Sequence, residues 1–225
     1  MRATDSFKTL QISFSKHQNA ELSATMSAYM RHQFHFLGIP KPKRSKLEKF
    51  ILLSSKTWRI RSIHKICNML WSCKSREYQY TALELLWINR KQWNSDTLEC
   101  LESFILHKSW WDTVDILASK LIGWYMLQQP KAAVLARHKL WLGSNNIWLQ
   151  RTSLIFQLKY KDKTDFLLLK TTINSLKDHP DFFIQKAIGW SLRQYAKTYP
   201  NIVLAYCKSI KLNGLAKREA LKHIY

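Results

Sequence analysis

Along most of the chain, apolar residues recur at the spacing of three and four that marks one face of a helix. No stretch keeps the period of two that a strand requires. Leu22, Met26, Tyr29 and Met30 form the first such stripe, which ends before Gly38-Ile39-Pro40. Helices are then predicted over Ser45 to Thr57, Ile60 to Ser72 and Glu77 to Lys91, with the next opening at Asn94-Ser95-Asp96, a cluster of good N-cap residues. Further helices are predicted over Trp111 to Met126, Pro130 to Leu142, Asn146 to Lys159 and Asp165 to Leu176. Asp181 to Lys197, Asn201 to Lys211 and Ala216 to His223 complete the set. Pro130 suits a first helical turn, where its missing N–H removes no helical bond.

The helices pair, and the pairs repeat. Glu77-Tyr78-Gln79-Tyr80 aligns with Asp112-Thr113-Val114-Asp115, with Trp148-Leu149-Gln150-Arg151 and with Phe183-Ile184-Gln185-Lys186. The last residues of these blocks, Tyr80, Asp115, Arg151 and Lys186, lie 35, 36 and 35 residues apart, and three of the four blocks carry Gln one position earlier. A period of that length with two helices per repeat predicts an α-solenoid. Residues 1–225 therefore read as one continuous all-α domain of HEAT-like helical repeats. Its alternate helices would line a basic concave face, with the aligned positions side by side along it.

Composition strengthens the picture. A hydrophobic content of 46% is ample for a core, and 5 Gly and 5 Pro leave little punctuation for strands and turns. With 36 Lys+Arg against 15 Asp+Glu, the net charge is +21, an excess that calls for a polyanionic partner. Nine of the cations fall between Lys41 and Lys65 with Glu48 as the single acid, and Arg44 in this run is expected to contact DNA. No stretch of ~18 uncharged apolar residues is present to span a bilayer. The four cysteines form no C-x-x-C pair, and His64 with Cys67 finds no second pair to complete a zinc site. Buried reduced thiols and no metal are expected. Met1 to Leu10 lacks an apolar signal core, which suggests a cytoplasmic, nucleoid-associated protein.

Polar and aromatic residues converge on the repeat helices. Trp111 and Asp115 share a helix face at i, i+4, Trp148 and Arg151 at i, i+3, and Phe182, Lys186 and Trp190 step by fours along a third helix. Phe183 belongs to the same block. Two readings of Asp115 stand at this point. It and Arg151 hold equivalent positions one repeat apart, so they can form a structural ion pair. Alternatively the acid is functional, because a carboxylate on a DNA-binding face repels the backbone unless it is used. A fitting chemistry is the release of purines alkylated at N3 or N7. Such a base is cationic and leaves neutral, so the reaction needs only a carboxylate to stabilise the oxocarbenium-like sugar and a water to capture it. Nearby cations would depress the pKa of that carboxylate.

At these residues the sequence resembles the AlkD-like DNA alkylation repair family, the HEAT-like-repeat alkylpurine DNA glycosylases. The resemblance rests on Tyr29-Met30, Phe36-Leu37-Gly38-Ile39 and Lys108-Ser109-Trp110-Trp111-Asp112-Thr113-Val114-Asp115. It continues through Asn146 to Arg151, Phe156 to Lys161, Phe182 to Trp190 and Arg218 to His223, in order over nearly the whole chain. It implies that Asp115 is the catalytic carboxylate, with Trp111 and Trp190 the aromatic walls beside the lesion's sugar. It further implies that Arg151 contacts a phosphate beside the site, that Lys159 binds backbone, and that Tyr29 presses on the opposite side of the lesioned pair. Catalysis without extrusion of the base is implied as well. Pro40 departs from the family, which can carry Gln there; this implies one polar contact fewer near Tyr29, with Lys41 and Lys43 compensating through phosphates.

The expected protein is thus a monomeric, monofunctional DNA glycosylase acting on double-stranded DNA with alkylated bases, without metal or organic cofactor. Lys186, Phe182 and Phe183 are expected to contact DNA beside the site. The rival readings are a non-catalytic solenoid that binds DNA or RNA structures and a protein-interaction scaffold, the latter disfavoured by the charge.

Overall fold

A computed structural model describes residues 2–222; His223, where the last predicted helix was to end, lies outside the described residues. The chain folds into helices α1 (Ala3–Lys16), α2 (Ala20–Tyr29), α3 (Lys41–Ser55), α4 (Ile60–Ser72), α5 (Arg76–Ile88) and α6 (Ser95–Leu106). These are followed by α7 (Trp111–Ile116), α8 (Gly123–Met126), α9 (Lys131–Leu142), α10 (Ile147–Ile155) and α11 (Phe166–Leu176). The last three are α12 (Phe182–Ala196), α13 (Pro200–Ser209) and α14 (Gly214–Leu221). A π-helical stretch, Leu117–Ile122, joins α7 to α8. The fold is all-α: among the described residues the only extended pairing is an isolated bridge between His35 and Ser75. No helix there is long and apolar enough to cross a membrane. Contacts divide the chain into two compact units, Met1–Cys100 and Leu101–Tyr225, where the sequence shows no compositional break.

In the first unit α1 is a helix that the pattern reading passed over, because its many polar residues mask a short apolar stripe. Phe7, Leu10 and Phe14, at i, i+3 and i+7, are buried, and α1 packs on α3 and α4. Helix α3 begins four residues earlier than predicted, at Lys41, since Pro42 serves its first turn. The turn between α2 and α3 is pinned by a buried acid. The Glu77 carboxylate accepts the backbone N–H groups of Leu37, Gly38 and Ile39 at 2.9–3.2 Å. Gly38 has φ +76°, and a Cβ there would lie 2.0 Å from the Asn19 carbonyl oxygen, so only glycine serves.

The period of about 35 residues appears as hydrogen bonds between successive helix pairs. In the first unit Thr81 donates to Glu48 and Asn89 to Ser55, across 33 and 34 residues. In the second, Arg137 donates to Glu102 across 35 residues, and His138 bonds Thr172 across 34. The recurring glutamine has a mechanical role. Gln79 Nε2 donates to the carbonyls of Leu70, Trp71 and Cys73 at the end of α4. Gln185 Nε2 does the same to Lys177 and His179 beyond α11. Each closes carbonyls that a helix end leaves open.

In the second unit α12 runs through the middle, packed on α10, α13 and α14. Its contact with α14 depends on Gly189, where a Cβ would meet the Glu219 Cβ at 2.4 Å and the Ala216 carbonyl oxygen at 2.8 Å. Gly189→Ala should therefore force the two helices apart. Overpacking of this kind destabilises by ~1–3 kcal/mol, and a thermal melt should show a drop of several degrees. An unchanged melting temperature would mean that α14 yields freely.

Candidate active site

Three helix starts in the second unit aim the site. Helix α7 opens with Trp110 and Trp111, and the two neighbours part company. Trp110 packs into an aromatic cluster with Trp148 and Phe183, at ring distances of 5.8 and 5.2 Å. Trp111 lines an open cleft of about 240 Å³ instead. Helix α10 starts at Asn146, whose side chain accepts from the Trp148 and Leu149 amides. Helix α12 starts at Asp181, which accepts from Phe183 and Ile184. Side-chain caps of this type hold the first turns in place. Two residues after Asp115 the backbone passes into the π-helical stretch, a distortion often found beside functional residues.

The cleft gathers Trp111, Asp115, Arg151, Phe182, Phe183, Lys186 and Trp190, together with Arg193 and Glu219. At its centre Arg151 grips Asp115 with two parallel bonds, Nε to Oδ1 at 2.7 Å and Nη2 to Oδ2 at 2.9 Å. The third guanidinium nitrogen donates to the Phe183 carbonyl. The Arg151 side chain is 5% exposed and that of Asp115 18%. Arg151 lies almost wholly beneath the surface and positions the acid, and two N–H donors, one on each Nη, are left for the phosphate contact expected of it. Burial, the largest influence, pushes the Asp115 pKa up. Arg151 pulls it down and Asp112 adds a smaller upward push; burial outweighs the depression expected from nearby cations, so the net shift is upward.

Trp148 is buried behind the cleft, with its ring 5.0 Å from Phe183. Phe182 is half exposed, and Lys186 Nζ lies 5.8 Å from its ring centroid. Lys186 also pairs with Glu219 at 2.7 Å. Lys159 is exposed in the turn after α10 and is not part of the cleft. In the first unit Tyr29 ends α2 and is 70% exposed. Arg44 requires a correction. It is 6% exposed, its guanidinium lies 4.8 Å from the Tyr80 ring centre, and its Nε is 3.4 Å from Glu48. A cation so enclosed supports the helix packing and offers no surface to a phosphate. Cys67 and Cys207 are buried thiols, Cys73 and Cys100 partly buried ones, and burial pushes Cys100 up to about 12.

Residues 10–224 match the family described as DNA alkylation repair enzyme. The chain belongs to that family. A solved structure, a predicted DNA alkylation repair enzyme from Enterococcus faecalis, is similar to it with a TM-score of 0.82 and 38% identity, covering 92% of this chain and 96% of that one. Comparison with curated proteins gives no match. Membership gives this repair enzyme a role in DNA alkylation repair, with DNA as its substrate.

Two cleft residues of the repair enzyme escaped the sequence reading. Glu219 stands 33 residues after Lys186 and so extends the aligned row, and Arg193 is three residues beyond Trp190 on the same face of α12. Both signals were present, but helical periodicity does not say which partner another helix will supply. The cleft thus holds a second carboxylate beside Asp115. The Glu219 carboxyl is held down at about 2, first by its hydrogen bonds to Lys186 and Arg193.

Proposed function

We propose that the chain is a monofunctional DNA glycosylase that hydrolyses the N-glycosidic bond of cationic N3- and N7-alkylated purines, such as 3-methyladenine and 7-methylguanine, in duplex DNA. The observation that carries this reading is the Asp115 carboxylate, locked by Arg151 in a cleft walled by Trp111 and Trp190. In the proposed step the C1′–N bond breaks with its electron pair moving into the ring, so the base departs neutral. The sugar carries the developing positive charge, which Asp115 stabilises across the cleft. Water then attacks C1′ and loses a proton, leaving an abasic site and the free base. Indole faces favour both the cationic base and the cationic sugar. Catalysis without base extrusion is carried over from the family resemblance.

The test is release of free 7-methylguanine from methylated duplex. Release well above the spontaneous rate supports the proposal. Binding without release favours the non-catalytic alternative, for which the engagement of both Asp115 oxygens by Arg151 speaks, since a purely structural ion pair has that form.

The acid limb of the pH profile gives a further prediction. Asp115 acts as the ionised form, and burial raises its pKa, so protons recapture it as pH falls through that raised value. Single-turnover release should decline at a higher pH than a solvent-exposed aspartate would dictate. Glu219 remains ionised until about pH 2 and does not contribute to this limb. A rate that stays flat down to about pH 4, near the ordinary aspartate value, would contradict the assignment.

A further inference from the structure

On α12, Phe182, Lys186, Trp190 and Arg193 follow one another at steps of four, four and three, a single face turned into the cleft. Two of these are cations, and one carboxylate from α14 joins them. Glu219 Oε1 accepts from Lys186 Nζ at 2.7 Å, while its Oε2 accepts from Arg193 Nη1 at 2.6 Å. The same Arg193 nitrogen donates to the Glu219 backbone carbonyl at 3.0 Å, which fixes the arginine to the helix as well as to the side chain. The close approach of α14 at Gly189 brings Glu219 there.

If Glu219 only cancelled charge to let α12 and α14 pack, its partners would be as buried as it is. They are not. The carboxylate is 14% exposed, Arg193 21% and Lys186 38%. The group keeps a net positive charge, and Lys186 and Arg193 each retain N–H donors beyond those Glu219 uses. Both cationic heads are within reach of one carboxylate, and so within reach of one tetrahedral phosphate. Trp190 lies between them along the helix, in the cleft that holds Asp115.

We propose that Glu219 is a positioning residue that ties Lys186 and Arg193 into a preorganised clamp for a single DNA phosphate, setting the register of the strand against Asp115. This rests on the reading of the cleft as the site of base release. This clamp lies one repeat beyond Arg151, which holds the acid.

Glu219→Ala separates the two roles that Glu219 can play. Removing a negative charge from a cationic cleft should leave binding to an unmodified duplex as tight as before or tighter, with an undiminished salt dependence. Loss of register should nevertheless slow single-turnover release of 7-methylguanine about tenfold, and Glu219→Asp should restore part of the rate. Unchanged release from a folded Glu219→Ala protein would overturn the proposal. If that variant does not fold, Lys186→Gln and Arg193→Gln carry the test on unmodified duplex. Together they should reduce the slope of log affinity against log salt by about 1, the share of one phosphate, and each singly by part of that; slopes equal to wild type would overturn the clamp. These binding arms need no catalysis. A wild type that releases no base would refute the glycosylase reading while the slopes still decided whether the phosphate site exists.

Discussion

Asp115→Asn is expected to lower release of 7-methylguanine from methylated duplex by about 10²–10³-fold, the range seen when a preorganised electrostatic group is removed from an active site. Asparagine has nearly the same shape and keeps a carbonyl oxygen for one Arg151 bond, yet it carries no charge to set against the sugar cation. It also turns an N–H toward the guanidinium that now donates to Oδ1 and Oδ2 at 2.7 and 2.9 Å. Some loss of stability should accompany the substitution, because Arg151 is left buried with half its partner. Affinity for unmodified duplex should not fall, since the change removes a charge that repels phosphate. Parallel loss of binding and release would point to collapse of the cleft, and full activity would remove Asp115 from the chemistry. Gel-shift and single-turnover measurements on the same preparation separate these outcomes.

The second large effect is expected far from the chemistry in sequence. Glu77→Ala should destabilise the protein by about 3–5 kcal/mol, read as a shift of the denaturation midpoint. The carboxylate is fully buried and is the acceptor for three consecutive backbone N–H groups, those of Leu37, Gly38 and Ile39. Alanine leaves three donors without an acceptor in the interior, each a penalty of ~1–3 kcal/mol before relaxation. The turn they form lies between α2, which ends at Tyr29, and α3. A loss below about 1 kcal/mol would mean that water reaches the turn and replaces the acid.

Much of this architecture was legible in the residues. The limits predicted for Ile60 to Ser72 agree with α4 at both ends, and the helix predicted from Trp111 to Met126 is present as α7, the π-helical stretch and α8. The convergence of Asp115, Arg151 and Lys186 in one cleft was visible because helix pairs of constant length return the same face at a constant interval. What escaped is equally physical. Helix α1 was lost to its polar surroundings although Phe7, Leu10 and Phe14 have helical spacing. Two cations chosen as DNA contacts, Arg44 and Arg151, are interior. Charge can be counted along a chain, but burial is decided by the helix that packs on top. The Asp115 pKa direction failed for the same reason, because desolvation outweighs the neighbouring arginine. Glu219 needed the third dimension to be recognised as the partner of both Lys186 and Arg193.

The aligned row closes in twos. Arg44 sits against Tyr80, Asp115 against Arg151 and Lys186 against Glu219, each partner one helix pair from the other. Loss of the helix pair that carries Asp115 would leave Arg151 buried without its acid, and loss of the helix that carries Glu219 would leave Lys186 and Arg193 without theirs. Each rung is therefore kept or lost as a unit, and a change in repeat number that cuts through one strands a cation.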